Sequence, residues 1–256
     1  MAIARARRPH AFSVESMSIS VPILHVAGAG ARLARGALQE LHHEPLSLRE
    51  DALASLPTLA SGQILVFADP PSVEGTRRAF EALLARIPVD APVRLVLVSS
   101  ISAGFGDSAL FAHEGRYAAR KRLAETLVKS RCDLDVVVLR VGNVFEHGGW
   151  QAVAHACPRA LLPTPARRCA VTTYAALRRS LDAVLARPLE PGACAQLDIF
   201  DSVPVERIFS RARHVPGLMA VYRQPLGRVA VKLAARLARG RGLYLPSPDD
   251  LNSLMY

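Results

Sequence analysis

No apolar run in this chain of 256 residues approaches the ~20 residues that a helix needs to span a bilayer. Cysteine is also scarce. Four residues, at 132, 157, 169 and 194, form no C-x-x-C pair. That spacing excludes a zinc ribbon and gives no disulfide framework, so free thiols in a reducing, cytoplasmic setting are expected. The pair His42-His43 stands without partner ligands, and no metal site is expected. Aromatic residues make up only 5% of the chain, with one Trp. Rings do not interleave with the arginines as they do in surfaces that stack bases, so nucleic acid is not an expected partner. Acidic residues are outnumbered, 22 against 32 Lys and Arg, for a formal net charge of +10. A balance of that sign attracts phosphate-bearing small molecules and anionic surfaces.

What is present is a chain that is half hydrophobic, long enough for one large α/β domain and a small second lobe. Residues 1–20 are expected to be a disordered basic tail, with Arg5, Arg7 and Arg8 but no apolar signal core. A targeting peptide and a true start at Met17 both fit this composition. From Pro22 an apolar run leads to Gly28-Ala29-Gly30, followed by a helical pattern to about His42. Glu44 to Arg49 reads as a short edge strand limited by Pro45, and 51–59 as a helical patch. Gln63–Ala68, Val93–Val98 and Asp135–Val141 read as buried strands. Helices are expected at 73–87 and 115–130. Strands alternating with helices of this length imply a parallel sheet with crossover helices. In such sheets ligands bind beyond the carboxyl ends of the strands, where Gly28, Ser99, Ser100 and Asn143 fall. Further on, helices are expected at 174–186, 204–214 and 226–239, and a strand at 195–200.

Tyr117 and Lys121 are four apart on the expected 115–130 helix and share a face. A phenol holds its proton to about pH 10 in water. A fixed ammonium nearby favours the phenolate, which suits proton transfer to or from an alcohol or carbonyl oxygen. A serine at the adjacent strand end, Ser100 or Ser102, would hold that oxygen, and Ser100 lies nearer the strand.

Four blocks occur in order: Ser72-Val-Glu-Gly-Thr76, Val98-Ser-Ser-Ile-Ser102, Tyr117-x-x-x-Lys121 and Leu139-Arg-Val-Gly-Asn-Val-Phe145. With them the chain resembles the NAD-dependent epimerase/dehydratase family, the extended branch of the short-chain dehydrogenase/reductases. The match covers residues 22–150 well and continues weakly to about 215. The resemblance implies an α/β fold, a Rossmann-like parallel sheet with crossover helices and a small mixed C-terminal substrate lobe. It divides the chain at 21–147 and 148–256. It also implies that Tyr117 is the acid/base, that Lys121 holds the nicotinamide ribose, and that Ser100 aligns the substrate. Gly28, Gly30 and Ala68 would lie along the bound NAD or NADP.

Two departures stand out. Ala31 and Ala34 occupy the second and third glycine positions of the family's phosphate loop. The third position touches only helix-to-strand packing, whereas the second governs approach to the pyrophosphate. The stretch 49–63 is too short for the family's third strand, so the adenosine side is expected to be reduced. Arg49 there is either a contact for a 2′-phosphate, favouring NADP, or a solvated loop residue.

The reading that follows is an NAD(P)-dependent enzyme acting on a nucleotide sugar or similar hydroxyl or keto substrate. The alternative is a non-catalytic relative that binds a nucleotide or a partner protein. A homodimer and a peripheral membrane contact through the basic 226–239 helix are the further partners this composition allows.

Overall fold

The structure, a computed structural model, describes residues 23–39, 41–104, 115–146, 150–164 and 168–246. The expected basic tail lies outside them. The chain begins with strand β1 (Leu24–Ala27), helix α1 (Arg32–Ala37), β2 (Glu44–Leu46), a 3-10 turn (Glu50–Ser55) and β3 (Gly62–Val66). Next come α2 (Val73–Ala85), β4 (Val93–Ser100), α3 (Gly115–Lys129), β5 (Asp135–Val141), β6 (Asn143–Val144), α4 (Trp150–Ala156), β7 (Arg159–Pro163) and β8 (Arg168–Thr172). The remainder is α5 (Tyr174–Ala186), β9 (Cys194–Ile199), β10 (Asp201–Pro204), α6 (Val205–Ile208), β11 (Arg211–Val215), α7 (Leu218–Arg223), α8 (Pro225–Arg239) and β12 (Leu243–Tyr244).

Six strands form the main sheet in the order β2-β1-β3-β4-β5-β9, and every pairing is parallel. Side chains alternate between two cores, as the period of a strand requires. Ile64, Val66, Leu95, Leu97, Val136 and Val138 face α2 and α3. Leu65, Val96, Val98, Val137 and Leu139 face α1 and α5. Both faces of β4 are buried along its whole length, which is why its middle, residues 95–98, is a continuous apolar run.

Helix starts follow local chemistry. The Ser72 side chain accepts a 2.9 Å hydrogen bond from Gly75 N and caps α2. Thr173 does the same for α5 through Ala176 N, at 3.1 Å. Such caps satisfy backbone donors that the first turn leaves open.

At the amino ends of the strands, Arg94 on β4 and Asp135 on β5 form a fully buried pair. Arg94 Nε and Nη2 donate to Asp135 Oδ2 at 2.8 and 2.7 Å, and Nη1 donates to the carbonyls of Val184 and Arg187. Arg187 Nη2 donates to the other Asp135 oxygen. The bolt ties β4 and β5 to the end of α5, at the edge opposite the strands' carboxyl ends.

Four expectations need correction. The first helix stops at Ala37, not His42, because the chain must return to β2 at Glu44. The helical patch at 51–59 is a 3-10 turn ending at Ser55. Residues 204–214 are not one helix: β10 ends at Pro204, α6 spans four residues, and β11 follows. There Phe209 is fully buried and stacks on Tyr244, with ring centroids 4.8 Å apart, and β11 pairs with β7. Tertiary pairing overrides the local helical pattern. The lobe expected from residue 148 is also interrupted in sequence, since α5 and β9 return to the main sheet. What remains outside that sheet is a mixed sheet β10-β8-β6 and a parallel one β11-β7-β12.

The strand expected to be missing between Arg49 and Gln63 is absent. β2 is the sheet edge, with Pro45 on it, a position that tolerates a residue without an N–H.

Candidate functional site

A cleft of about 690 Å³ opens beyond the carboxyl ends of β1, β2 and β3. Its floor is the β1–α1 turn, Gly28 to Ala31. Gly28 has φ +80°, and a Cβ there would lie 2.8 Å from the Ala68 backbone nitrogen. The close approach of the β1 and β3 ends therefore requires glycine, apart from any ligand. Ala31 N donates to Gly28 O at 2.9 Å and closes the turn. At Gly30 the reverse holds: a Cβ would meet nothing within 4 Å, so its backbone borders open space. Ala34, at the third glycine position, is fully buried against the sheet, in keeping with a role in packing alone.

Leu46, Ser47, Leu48 and Leu53 form one wall, and Ala68, Asp69, Pro70 and Pro71 the other. Leu53 comes from the 3-10 turn. That turn packs against α2 and adds to the apolar wall of the cleft. Arg49 sits on the rim, highly exposed, with Nε 3.4 Å from Asp51 Oδ1. Arg78, from α2, reaches the same rim and binds Glu50 Oε1 at 2.8 Å and Glu74 Oε1 at 3.1 Å.

One face of α3 carries Tyr117 and Lys121. Lys121 is buried, 6% exposed, while Tyr117 is 41% exposed. Lys121 Nζ lies 5.6 Å from the centre of the Tyr117 ring, and so does the Arg120 guanidinium carbon. Both cations bind one carboxylate. Lys121 Nζ is 3.7 Å from Asp69 Oδ1, and Arg120 Nη2 donates to Asp69 Oδ2 at 3.1 Å. Arg120 Nη1 also donates to Pro71 O. Asp69 thus joins α3 to the cleft wall.

One turn further along the same stripe, Glu125 is 3% exposed. It accepts from Ser99 Oγ at 2.6 Å and from Arg140 Nε and Nη2 at 2.9 and 2.7 Å. Burial works against its charge, but the hydrogen bonds from Arg140 and Ser99 outweigh it and hold the carboxyl below the ordinary glutamate range. This knot fixes α3 against the ends of β4 and β5. It also takes up the Ser99 hydroxyl.

Ser100 is 8% exposed. Its Oγ donates to Ser102 Oγ at 3.3 Å and accepts from Ser102 N at 3.2 Å. The two candidate serines therefore form one hydroxyl pair at the strand end. Asn143 Nδ2 donates to Ala170 O at 3.1 Å and holds β8. Glu146 Oε2 accepts from Tyr174 N at 2.7 Å and helps to cap α5. His147 lies outside the described residues.

The expected residues fall into two neighbouring groups. Gly28, Gly30, Arg49 and Ala68 line the cleft. Tyr117 and Lys121 share the stripe on α3, Ser100 ends the adjacent β4, and Asp69 joins Lys121 to the cleft wall. Sequence reading missed Asp69, Arg78, Arg120 and Glu125. A signal existed for Glu125, which continues the four-residue spacing of Tyr117 and Lys121. The Asp69 pairing spans two elements and leaves no local pattern. Among the described residues no three His, Cys, Asp or Glu side chains gather as a metal site.

No protein-family model matches the chain, and no curated protein matches it in sequence. Solved structures do match in fold. MoeE5, in complex with UDP-glucose and NAD, is 17% identical with a TM-score of 0.54, covering 76% of this chain and 85% of its own. RMD from Pseudomonas aeruginosa, complexed with NADPH, is 15% identical with a TM-score of 0.53, covering 76% and 87%. The dTDP-glucose 4,6-dehydratase of Bacillus anthracis str. Ames, in complex with NAD, is 13% identical with a TM-score of 0.52, covering 76% and 84%. At such identities the likeness is one of fold, a Rossmann-like α/β sheet with its helices.

Proposed function

We propose that the chain is an NAD(P)-dependent oxidoreductase or epimerase/dehydratase acting on a nucleotide sugar or a similar hydroxyl- or keto-bearing substrate. One observation carries the reading. Asp69 stands in the cleft wall and holds the ammonium of Lys121, whose side chain abuts the Tyr117 ring. A dinucleotide-sized cleft and a proton-transfer pair therefore share a border. The similar folds bound to NAD, NADPH and UDP-glucose support the same reading.

The residues present fit a nicotinamide dinucleotide. Open space beside the Gly30 backbone leaves room for a pyrophosphate. The apolar wall of Leu46, Leu48 and Leu53 suits adenine. Arg49, with Arg78 behind it on the rim, suits the charge of a 2′-phosphate and favours NADP. In this reading Gly28, Gly30 and Ala68 hold the pyrophosphate side, and Lys121 holds the nicotinamide ribose. Nicotinamide, when bound, supplies the acceptor or donor of a hydride. Tyr117 moves the proton at the substrate oxygen, and the Ser100–Ser102 pair holds that oxygen. Lys121 balances the phenolate as it forms. The partial exposure of Tyr117 leaves its hydroxyl accessible to a substrate.

Incubation with UDP- and dTDP-sugars in the presence of NAD or NADP tests this. Turnover is expected from the wild-type chain and not from Tyr117→Phe. Absence of turnover across the panel, together with no binding of NADH or NADPH, would refute it.

A second reading, a non-catalytic nucleotide-binding relative, is favoured by the same ion pair, because Lys121 already has a carboxylate partner in Asp69. It would give a thermal shift with a nucleotide sugar that Tyr117→Phe leaves unchanged.

A further inference from the structure

We infer that Arg120 is a positioning residue of the proton-transfer site: it keeps Asp69 from closing on Lys121. The inference rests on the cofactor reading above, in which Lys121 holds the nicotinamide ribose.

Arg120 lies three residues after Tyr117 on α3, and Lys121 lies four, so both stand on the side of the helix that bears the ring. Their cationic groups are equally far from the ring centre, 5.6 Å. They do not hold Asp69 alike. Arg120 Nη2 donates to Asp69 Oδ2 at 3.1 Å, whereas Lys121 Nζ stands 3.7 Å from Oδ1, beyond hydrogen-bond length. Arg120 is thus the close partner of the carboxylate, and Lys121 the looser one.

The guanidinium grips the loop as a fork. Nη1 donates to Pro71 O at 3.0 Å while Nη2 takes Asp69. Two donors of one planar group on the same loop fix its orientation as well as its place. Asp69, Pro70 and Pro71 line the cleft, and Arg120 does not. Arg120 therefore acts on a bound dinucleotide through that wall, and through the charge of Asp69 in particular.

The consequence follows from counting charges. With Arg120 in place the carboxylate keeps a hydrogen-bonded cation when Lys121 turns to the ribose. Without it, Lys121 is the one cation left on Asp69 among the described residues. Drawing Lys121 away would then leave a part-buried carboxylate uncompensated, which opposes cofactor binding. A lysine at position 120 keeps the charge but not the fork, so it replaces arginine in part.

The test needs no sugar substrate. NADPH is titrated calorimetrically into the wild-type chain, Arg120→Met, Arg120→Lys, Asp69→Asn and Arg120→Met/Asp69→Asn. Arg120→Met is expected to weaken binding by about fivefold, and Arg120→Lys by about twofold or less. In the Asp69→Asn background, Arg120→Met should change affinity by less than about twofold, because the charge it offsets is gone. A merely structural role predicts an equal loss in both backgrounds and no rescue by lysine. Arg120→Gln, which keeps a donor for Pro71 O, repeats the loss of charge should the Met variant not fold, and the same fivefold weakening is expected from it. Wild-type affinity in these neutral variants, or an equal loss with and without the Asp69 charge, would overturn the inference and leave the cofactor reading standing. No NADPH binding by the wild-type chain would refute that reading and this inference together.

Discussion

Lys121 Nζ lies 3.7 Å from Asp69 Oδ1, which joins the middle of α3 to the loop after β3. In the proposed function the same ammonium holds the nicotinamide ribose, so carboxylate and cofactor would compete for it. Asp69→Asn is therefore expected to raise NADPH affinity, and Lys121→Met to lower it, each by up to about tenfold, or ~1.4 kcal/mol. Isothermal titration reads both. Changes in the same direction would show that Lys121 does not contact the cofactor.

The Arg94–Asp135 bolt is structural and remote from the site. Arg94→Met leaves Asp135 buried with part of its partners gone, and is expected to cost about 3–5 kcal/mol in urea unfolding. Arg94→Met/Asp135→Leu should recover much of that loss, because no fully buried charge remains uncompensated; Arg187, which also loses Asp135, is part-exposed. A single variant as stable as wild type would show that the buried pair contributes nothing.

Glu125 carries a pH dependence. Its carboxyl titrates lower in the folded chain than in the unfolded one, so its stabilisation is complete above the ordinary glutamate range. It is lost as pH falls through the lower folded value. Glu125→Gln keeps the shape and removes the charge. We expect it to cost about 1.5–3 kcal/mol at neutral pH and to flatten the acid limb of the stability curve. An unchanged acid limb would place that sensitivity elsewhere.

Thiol reactivity should divide two and two. Cys132 and Cys194 are exposed, whereas Cys157 and Cys169 are buried, and burial pushes the Cys169 thiol up to about 12. Titration of the native protein with an aromatic disulfide reagent is expected to modify only the exposed pair, even at about pH 9. Rapid modification of Cys169 would mean that the β8 region opens readily.

Much of this was legible in the sequence because it is local. The apolar runs of β4 and β5, the capped start of α2 and the stripe of α5 follow from period and composition. Tyr117 and Lys121 share a face by spacing alone. The short 49–63 stretch correctly left the sheet one strand smaller. What was not legible depends on pairing across distance. Phe209 stacks on Tyr244 and β11 joins β7, which turned an expected helix into a strand. Asp69 meets Lys121 and Arg120 only once the loop after β3 comes against α3. Gly28 looked like a phosphate-loop residue, yet the Ala68 backbone alone requires it.

That last point selects the decisive experiment. Gly28→Val would strain the β1–β3 junction whatever binds there, but Gly30 borders open space and tolerates a side chain without a clash. Titration of wild type and Gly30→Val with NADPH, followed by nicotinamide fluorescence, tests whether the cleft is the dinucleotide site. Saturable binding to wild type is expected, weakened by about tenfold or more in a Gly30→Val protein of unchanged melting temperature, a loss of ~1.4 kcal/mol. Equal affinity in the two proteins, or no binding to either, would contradict the account.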